Sequence, residues 1–236
     1  MQDTYDIFIC CGGKCGGTTL ANTFHENGYK TTHLHSSKHI GNFKSNIDMN
    51  NVFGVIENSR KQKTIYIIDA YRTPIERKIS CFFQKIKQYF PNYQKTTINE
   101  LIKYFDDNIL NSCVADYHPL NEFLIKYDAP LFNKFNFKRR YNIIKRKNIV
   151  FVKILFSDIK KWDEILSDVF GKKINIYPAN LTEEKEINDL YKEFKEQYKI
   201  PKSYLDIIKN DKEFIIHHRQ YEQKKYLNMW EKNSKE

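Results

Sequence analysis

The chain has 236 residues, 41% hydrophobic and 15% aromatic, which is enough to bury a core and too apolar for a disordered protein. Its net charge of +10 points to an anionic partner, such as a nucleotide, an acidic glycan, nucleic acid or a membrane surface. No apolar run approaches the roughly 18 residues that cross a bilayer, and no charged-then-apolar leader precedes the first motif, so the expectation is a cytoplasmic chain without a membrane span. Much of the lysine is spread along the whole length, as on a solvated face. Five cysteines (Cys10, Cys11, Cys15, Cys81 and Cys113) form no zinc-type pairing of spacings and, being odd in number, no disulfide framework.

In chain order, the apolar run ending at Cys10 predicts a strand, followed by Cys11-Gly12-Gly13-Lys14-Cys15-Gly16-Gly17-Thr18-Thr19. A helix is expected over Thr18–Asn27, ended by Gly28, then a strand over Tyr29–Ser36 that puts His33 and His35 on one face. Residues 41–63 are polar, with a helix expected around Asn51–Arg60. Thr64–Ala70 is a continuous apolar run of the kind found in buried parallel strands. Arg72-Thr73-Pro74 turns into a helix over Ile75–Tyr89, stopped by Pro91. Helices follow over Thr97–Asn111 and Asn121–Tyr127. Residues 130–146 are aromatic and basic, and read as a strand pair or a flap. Ile149–Phe156 is another buried strand, with Ser157 or Asp158 capping a helix over Ile159–Phe170 that Gly171 closes. Late helices are expected from Leu181, capped by Thr182, to about Tyr198, then over Pro201–Asp211 and Glu213–Glu231. Strands alternating with helices predict an α/β fold with a central parallel sheet and a helical C-terminal part, in a single domain over residues 1–236.

Two stretches carry chemistry. Four glycines between Gly12 and Gly17 let the backbone approach a ligand closely and take positive φ. A turn of this kind opening a helix presents amides to an anion, with Lys14 adding charge and Thr18 and Thr19 adding hydroxyls. Without a ligand the same stretch is a glycine-rich β-turn. The lysine precedes Gly16 and Gly17, whereas a nucleotide triphosphatase loop places it after the last glycine. The second stretch is Arg72-Thr73-Pro74-Ile75-Glu76-Arg77-Lys78-Ile79-Ser80, after the clearest strand, where ligands bind in open α/β sheets. Here Ser80 follows Arg72 by eight residues, and a guanidinium can fork onto phosphate.

Together these stretches resemble the two nucleotide motifs of the sulfotransferases that use 3′-phosphoadenosine-5′-phosphosulfate (PAPS). The loop is similar to their Lys-Ser/Thr-Gly-Thr-Thr, with one residue more. The second stretch matches R-x-P-x-E-R-x-x-S, as often spelled in glycan enzymes, at every defined position. The resemblance covers roughly residues 5–36, 64–84 and 148–171. It implies a three-layer fold like that of P-loop nucleotide triphosphatases, and sulfuryl transfer from PAPS to a hydroxyl or amine, leaving adenosine 3′,5′-bisphosphate (PAP), with no metal expected. It implies that Gly13, Lys14, Cys15, Gly16, Gly17, Thr18 and Thr19 hold the 5′ end, with Lys14 steadying the leaving group. Arg72 and Ser80 would hold the 3′-phosphate, and a carbohydrate would be the acceptor. A base is expected about twenty residues past the loop lysine. His35 is favoured over His33, with His39 and His118 as outsiders. Aromatics at Phe82, Phe83, Tyr89 and Phe90, and the basic cluster of Lys138, Arg139, Arg140, Lys145 and Arg146, are candidates for an acceptor surface or, equally, for core and solvated face. The rivals are a P-loop kinase using ATP and Mg²⁺ with Asp69 as ligand, a basic nucleic-acid-binding protein, and a degenerate sulfotransferase that binds without turnover.

Overall fold

The computed structural model describes residues 4–40, 51–112, 118–179 and 187–231. The chain divides into two compact units, one formed by residues 1–72 and 117–180 and the other by 73–116 and 181–236.

The first unit is an α/β sandwich. Among the described residues its sheet has six strands in the order β3-β2-β1-β4-β6-β5. These are β1 (Ile7–Cys10), β2 (Thr31–Ser36), β3 (His39–Ile40), β4 (Ile65–Tyr71), β5 (Tyr141–Arg146) and β6 (Ile149–Leu155). The four central strands are parallel, and the edge strands β3 and β5 run antiparallel to their neighbours. Side chains of β1, β4 and β6 alternate between two apolar layers, which is why these strands read as near-continuous apolar runs. On one face Ile7, Ile9, Ile68, Ala70, Val152 and Ile154 pack against α1 (Gly17–Glu26) and α7 (Trp162–Phe170). On the other, Phe8, Ile65, Ile67 and Phe151 pack against α2 (Val52–Gln62) and α6 (Pro119–Lys126). Cys10, the last residue of β1, and Cys11 just after it fall in opposite layers.

One charge lies inside each of two apolar runs. Asp69 on β4 is in register with Lys153 on β6, and Lys153 Nζ bonds Asp69 Oδ2 at 2.6 Å with both side chains nearly inaccessible. Each charge is tolerable only because the other is there.

The second unit is helical. It holds α3 (Pro74–Gln84), α4 (Ile86–Tyr89), α5 (Ile98–Phe105), α8 (Asn188–Gln197), α9 (Lys202–Asn210), α10 (Lys212–His217) and α11 (Gln220–Glu231). Its core is aromatic: Phe82, Phe105, Phe194 and Tyr198 are all fully buried, with Phe194 stacked on Tyr198 at 5.3 Å between ring centroids. Tyr198 also donates its hydroxyl to Asp106 at 2.8 Å. Phe82 and Phe83 belong to this core and not to an acceptor surface.

Several boundaries differ from expectation. The helix expected over Ile75–Tyr89 breaks at Lys85 into α3 and α4, and the one over Thr97–Asn111 changes at Asp106 from α to a π-helical turn. Residues 141–146 form one edge strand on β6 instead of a pair. The turn after β6 is a 3₁₀ helix over Phe156–Lys161, so neither Ser157 nor Asp158 caps α7. Asp158 is instead forked by Arg140 at 2.8 and 2.9 Å. The stretch from Glu213 to Glu231 is split between α10 and α11. Thr182, Cys113 and residues 41–50 lie outside the described residues.

Candidate functional site

Parallel pairing puts the carboxyl ends of β2, β1 and β4 at one edge of the sheet. The chain leaves β1 for β2 on one side and returns to β4 on the other, so the strand order reverses at β1. That reversal opens the crevice where α/β sheets bind ligands. The glycine loop follows β1, His35 stands near the end of β2, and Arg72 immediately follows β4.

The loop takes left-handed conformations at alternate residues, Lys14 (φ 66°) and Gly16 (φ 83°), with the Cys15 amide closing a turn onto the Gly12 carbonyl at 3.3 Å. Gly16 is fixed twice over. Its φ favours glycine, and a β-carbon there would come within 2.6 Å of Trp162 and 3.2 Å of Phe156. At Gly17, a β-carbon would overlap the His33 ring. The first intrahelical bond of α1 runs from Leu20 to the Gly16 carbonyl at 3.0 Å, which leaves the amides of Gly17, Thr18 and Thr19 outside the ladder. No side chain caps this end, and its first turn carries no acid. It is therefore electropositive, and among the described residues its orphan amides are suited to an anion.

Arg72 braces the loop from the neighbouring strand end. Its Nη1 donates to the Lys14 carbonyl at 2.8 Å, and its guanidinium lies 4.4 Å from the centre of the Phe156 ring. Trp162, edge-on to Phe156, is anchored by its indole N–H to the Leu155 carbonyl at 2.9 Å. Phe156 and Trp162 were not singled out by sequence reasoning. The available signal was a pair of large aromatics just past a buried strand in the α/β register.

The two histidines differ in depth. His33 is buried, neither ring nitrogen has a hydrogen-bond partner among the described residues, and burial, with His35 beside it, lowers its pKa to about 3. His35 is half-buried, 4.8 Å from the His33 ring, and its Nδ1 lies 2.8 Å from the Cys11 carbonyl. A carbonyl only accepts, so Nδ1 carries the proton and the lone pair of neutral His35 sits on Nε2. His39 bonds Ser36 Oγ at 2.9 Å through Nδ1, and His118 stacks on Tyr71.

Thr18 is half-buried, and its hydroxyl has no hydrogen bond among the described residues. Thr19 is buried and already engaged: its hydroxyl donates to the Ala179 carbonyl at 3.1 Å and accepts from the Ala179 amide at 3.2 Å. Cys10, Cys11 and Cys15 are buried, and burial followed by the charge of Asp69 pushes the Cys10 and Cys11 thiols well above their usual range. Cys10 and Cys11 are therefore packing groups and poor nucleophiles, and Cys15 is buried within the loop. Lys14, Gly13, Cys15, Gly16, Gly17, Thr18, Thr19, Arg72, His33 and His35 thus gather in the first unit, whereas Ser80 lies on α3 of the second, 6% exposed.

No family model, no curated protein and no solved structure matches this chain. The functional argument therefore rests on the chemistry of these residues. No helix among the described residues is long and apolar enough to cross a membrane. In the basic cluster, Arg140 pairs with Asp158 and Arg146 bonds Asp128 at 2.7 Å, while Lys138, Arg139 and Lys145 stay exposed.

Proposed function

We propose that the chain is a PAPS-dependent sulfotransferase acting on a hydroxyl acceptor, with carbohydrate as the class suggested by the R-x-P-x-E-R-x-x-S spelling. The observation that carries the reading is an imidazole with its lone pair on Nε2, held beside an uncapped helix N-terminus and a glycine loop. Sulfuryl transfer needs little else from side chains: in-line positioning, donors for spreading negative charge, and a group to take the acceptor proton.

In this scheme the loop amides, Lys14 and Thr18 hold the 5′-phosphate and the sulfate oxygens. The resemblance of the stretch from Arg72 to Ser80 to R-x-P-x-E-R-x-x-S implies that these two residues would hold the 3′-phosphate. His35 Nε2 takes the acceptor hydroxyl proton as the acceptor oxygen bonds to sulfur. The bond from sulfur to the bridging phosphate oxygen breaks, and PAP leaves with that oxygen. His33, kept neutral by burial, is the weaker candidate for the base. The ATP–Mg²⁺ rival is disfavoured by Asp69, whose carboxylate is buried and already paired with Lys153.

Calorimetric titration with PAP, ADP and ATP tests the donor. The expected result is a strong preference for PAP, and equal affinities for the three would remove the assignment. His35→Ala should then lower transfer by roughly 10²–10⁴-fold while leaving PAP affinity nearly unchanged. Unaltered turnover would exclude His35 as the base.

A further inference from the structure

We propose that Arg72 is a positioning residue for the glycine loop, and that it sets affinity for any anion in the cradle, including ligands with no 3′-phosphate. Lys14 holds a left-handed backbone that an L side chain resists, so something must fix it there. The bond from Arg72 Nη1 to the Lys14 carbonyl does this directly. The arginine is in turn oriented by Phe156, which together with Trp162 also fills the space a side chain at residue 16 would need. Loop, arginine and aromatic pair thus form one stack, with the uncapped amides of α1 at its edge. A lysine at position 72 would supply charge without the planar face that lies against Phe156.

The inference rests on the loop being an anion cradle, and its test separates it from the choice of donor. Inorganic pyrophosphate probes the cradle alone, and PAP probes both ends. By calorimetry, Arg72→Ala should weaken pyrophosphate binding at least about tenfold, with PAP weakened no less. Millimolar guanidinium should restore much of the pyrophosphate affinity of that variant, while the same concentration of ammonium should not. Arg72→Lys should remain impaired. Phe156→Leu keeps the charge and removes the stacking surface, and should weaken pyrophosphate severalfold, which guards against misfolding of the arginine variants.

Loss of PAP affinity with pyrophosphate binding intact would overturn the proposal and leave Arg72 as a 3′-phosphate contact, with the sulfotransferase reading standing. Full function in Arg72→Lys would overturn it by showing that charge alone suffices. Absence of pyrophosphate binding in the unaltered chain would overturn it as well. Equal PAP and ADP affinities, with pyrophosphate binding still dependent on Arg72, would support the clamp and sink the donor assignment.

Discussion

His33 and His35 occupy alternate positions of one strand and differ in what surrounds them. His33 fills the place that glycine vacates at residue 17, with both ring nitrogens unsatisfied, and the folded chain binds its proton only near pH 3. The unfolded chain binds that proton near the ordinary value of 6.5. Acid between those values therefore favours the unfolded state: the residue's contribution is intact above 6.5, erodes as pH falls, and is fully lost below about 3. At roughly 1.4 kcal/mol per pH unit the effect reaches a few kcal/mol. His33→Leu should flatten this limb of the stability curve in chemical denaturation across that range, and an unchanged slope would contradict the burial. The sequence placed both rings on one face. It did not reveal that the ring two residues nearer the middle of the strand would lie under α1, because depth depends on which helix crosses above.

At the scale of elements, α1 does a second job on its outer side. Thr19, Thr23 and Asn27, four residues apart, bond Ala179, Tyr177 and Asn175 of the extended segment after α7. The Tyr177 amide donates to Thr23 Oγ1 at 3.0 Å, and the Asn175 amide donates to Asn27 Oδ1 at 3.1 Å. The helix thus uses side chains to satisfy backbone groups of a segment that, among the described residues, belongs to no strand. Thr23→Val should cost about 1–2 kcal/mol and accelerate hydrogen exchange at the Tyr177 amide, and unchanged protection there would contradict the arrangement. The four-residue spacing of these polar residues was visible beforehand. Their partner was not, because residues 172–179 have neither helical nor strand periodicity. For the same reason Thr19 is expected from sequence only as a phosphate donor. The strands were easier: β1, β4 and β6 announce themselves as apolar runs. Even so, the pairing of Asp69 with Lys153 emerges only from register, since their separation of 84 residues carries no local signal.

At the scale of the molecule, each unit carries one of the two tryptophans in its buried core, Trp162 in the sheet unit and Trp230 in the helical unit. Single-tryptophan variants therefore report the two cores separately. Phe194 lies among Phe82, Phe83, Phe105 and Tyr198, and Phe194→Ala should destabilise the helical unit by about 3–5 kcal/mol, lowering the midpoint read from Trp230. A change seen only by Trp162 would contradict this placement. The alternation of strands and helices made the sheet unit legible, whereas the helical unit is built from two stretches far apart in the chain, which periodicity alone does not join.

The Thr19 hydroxyl has a single hydrogen to offer, and in this structure Ala179 holds it. A ligand oxygen that captures that hydrogen must release a carbonyl 160 residues downstream. Filling the crevice through Thr19 would therefore slacken the tether along α1 from its near end, and the backbone at Ala179 would register occupancy without touching the ligand.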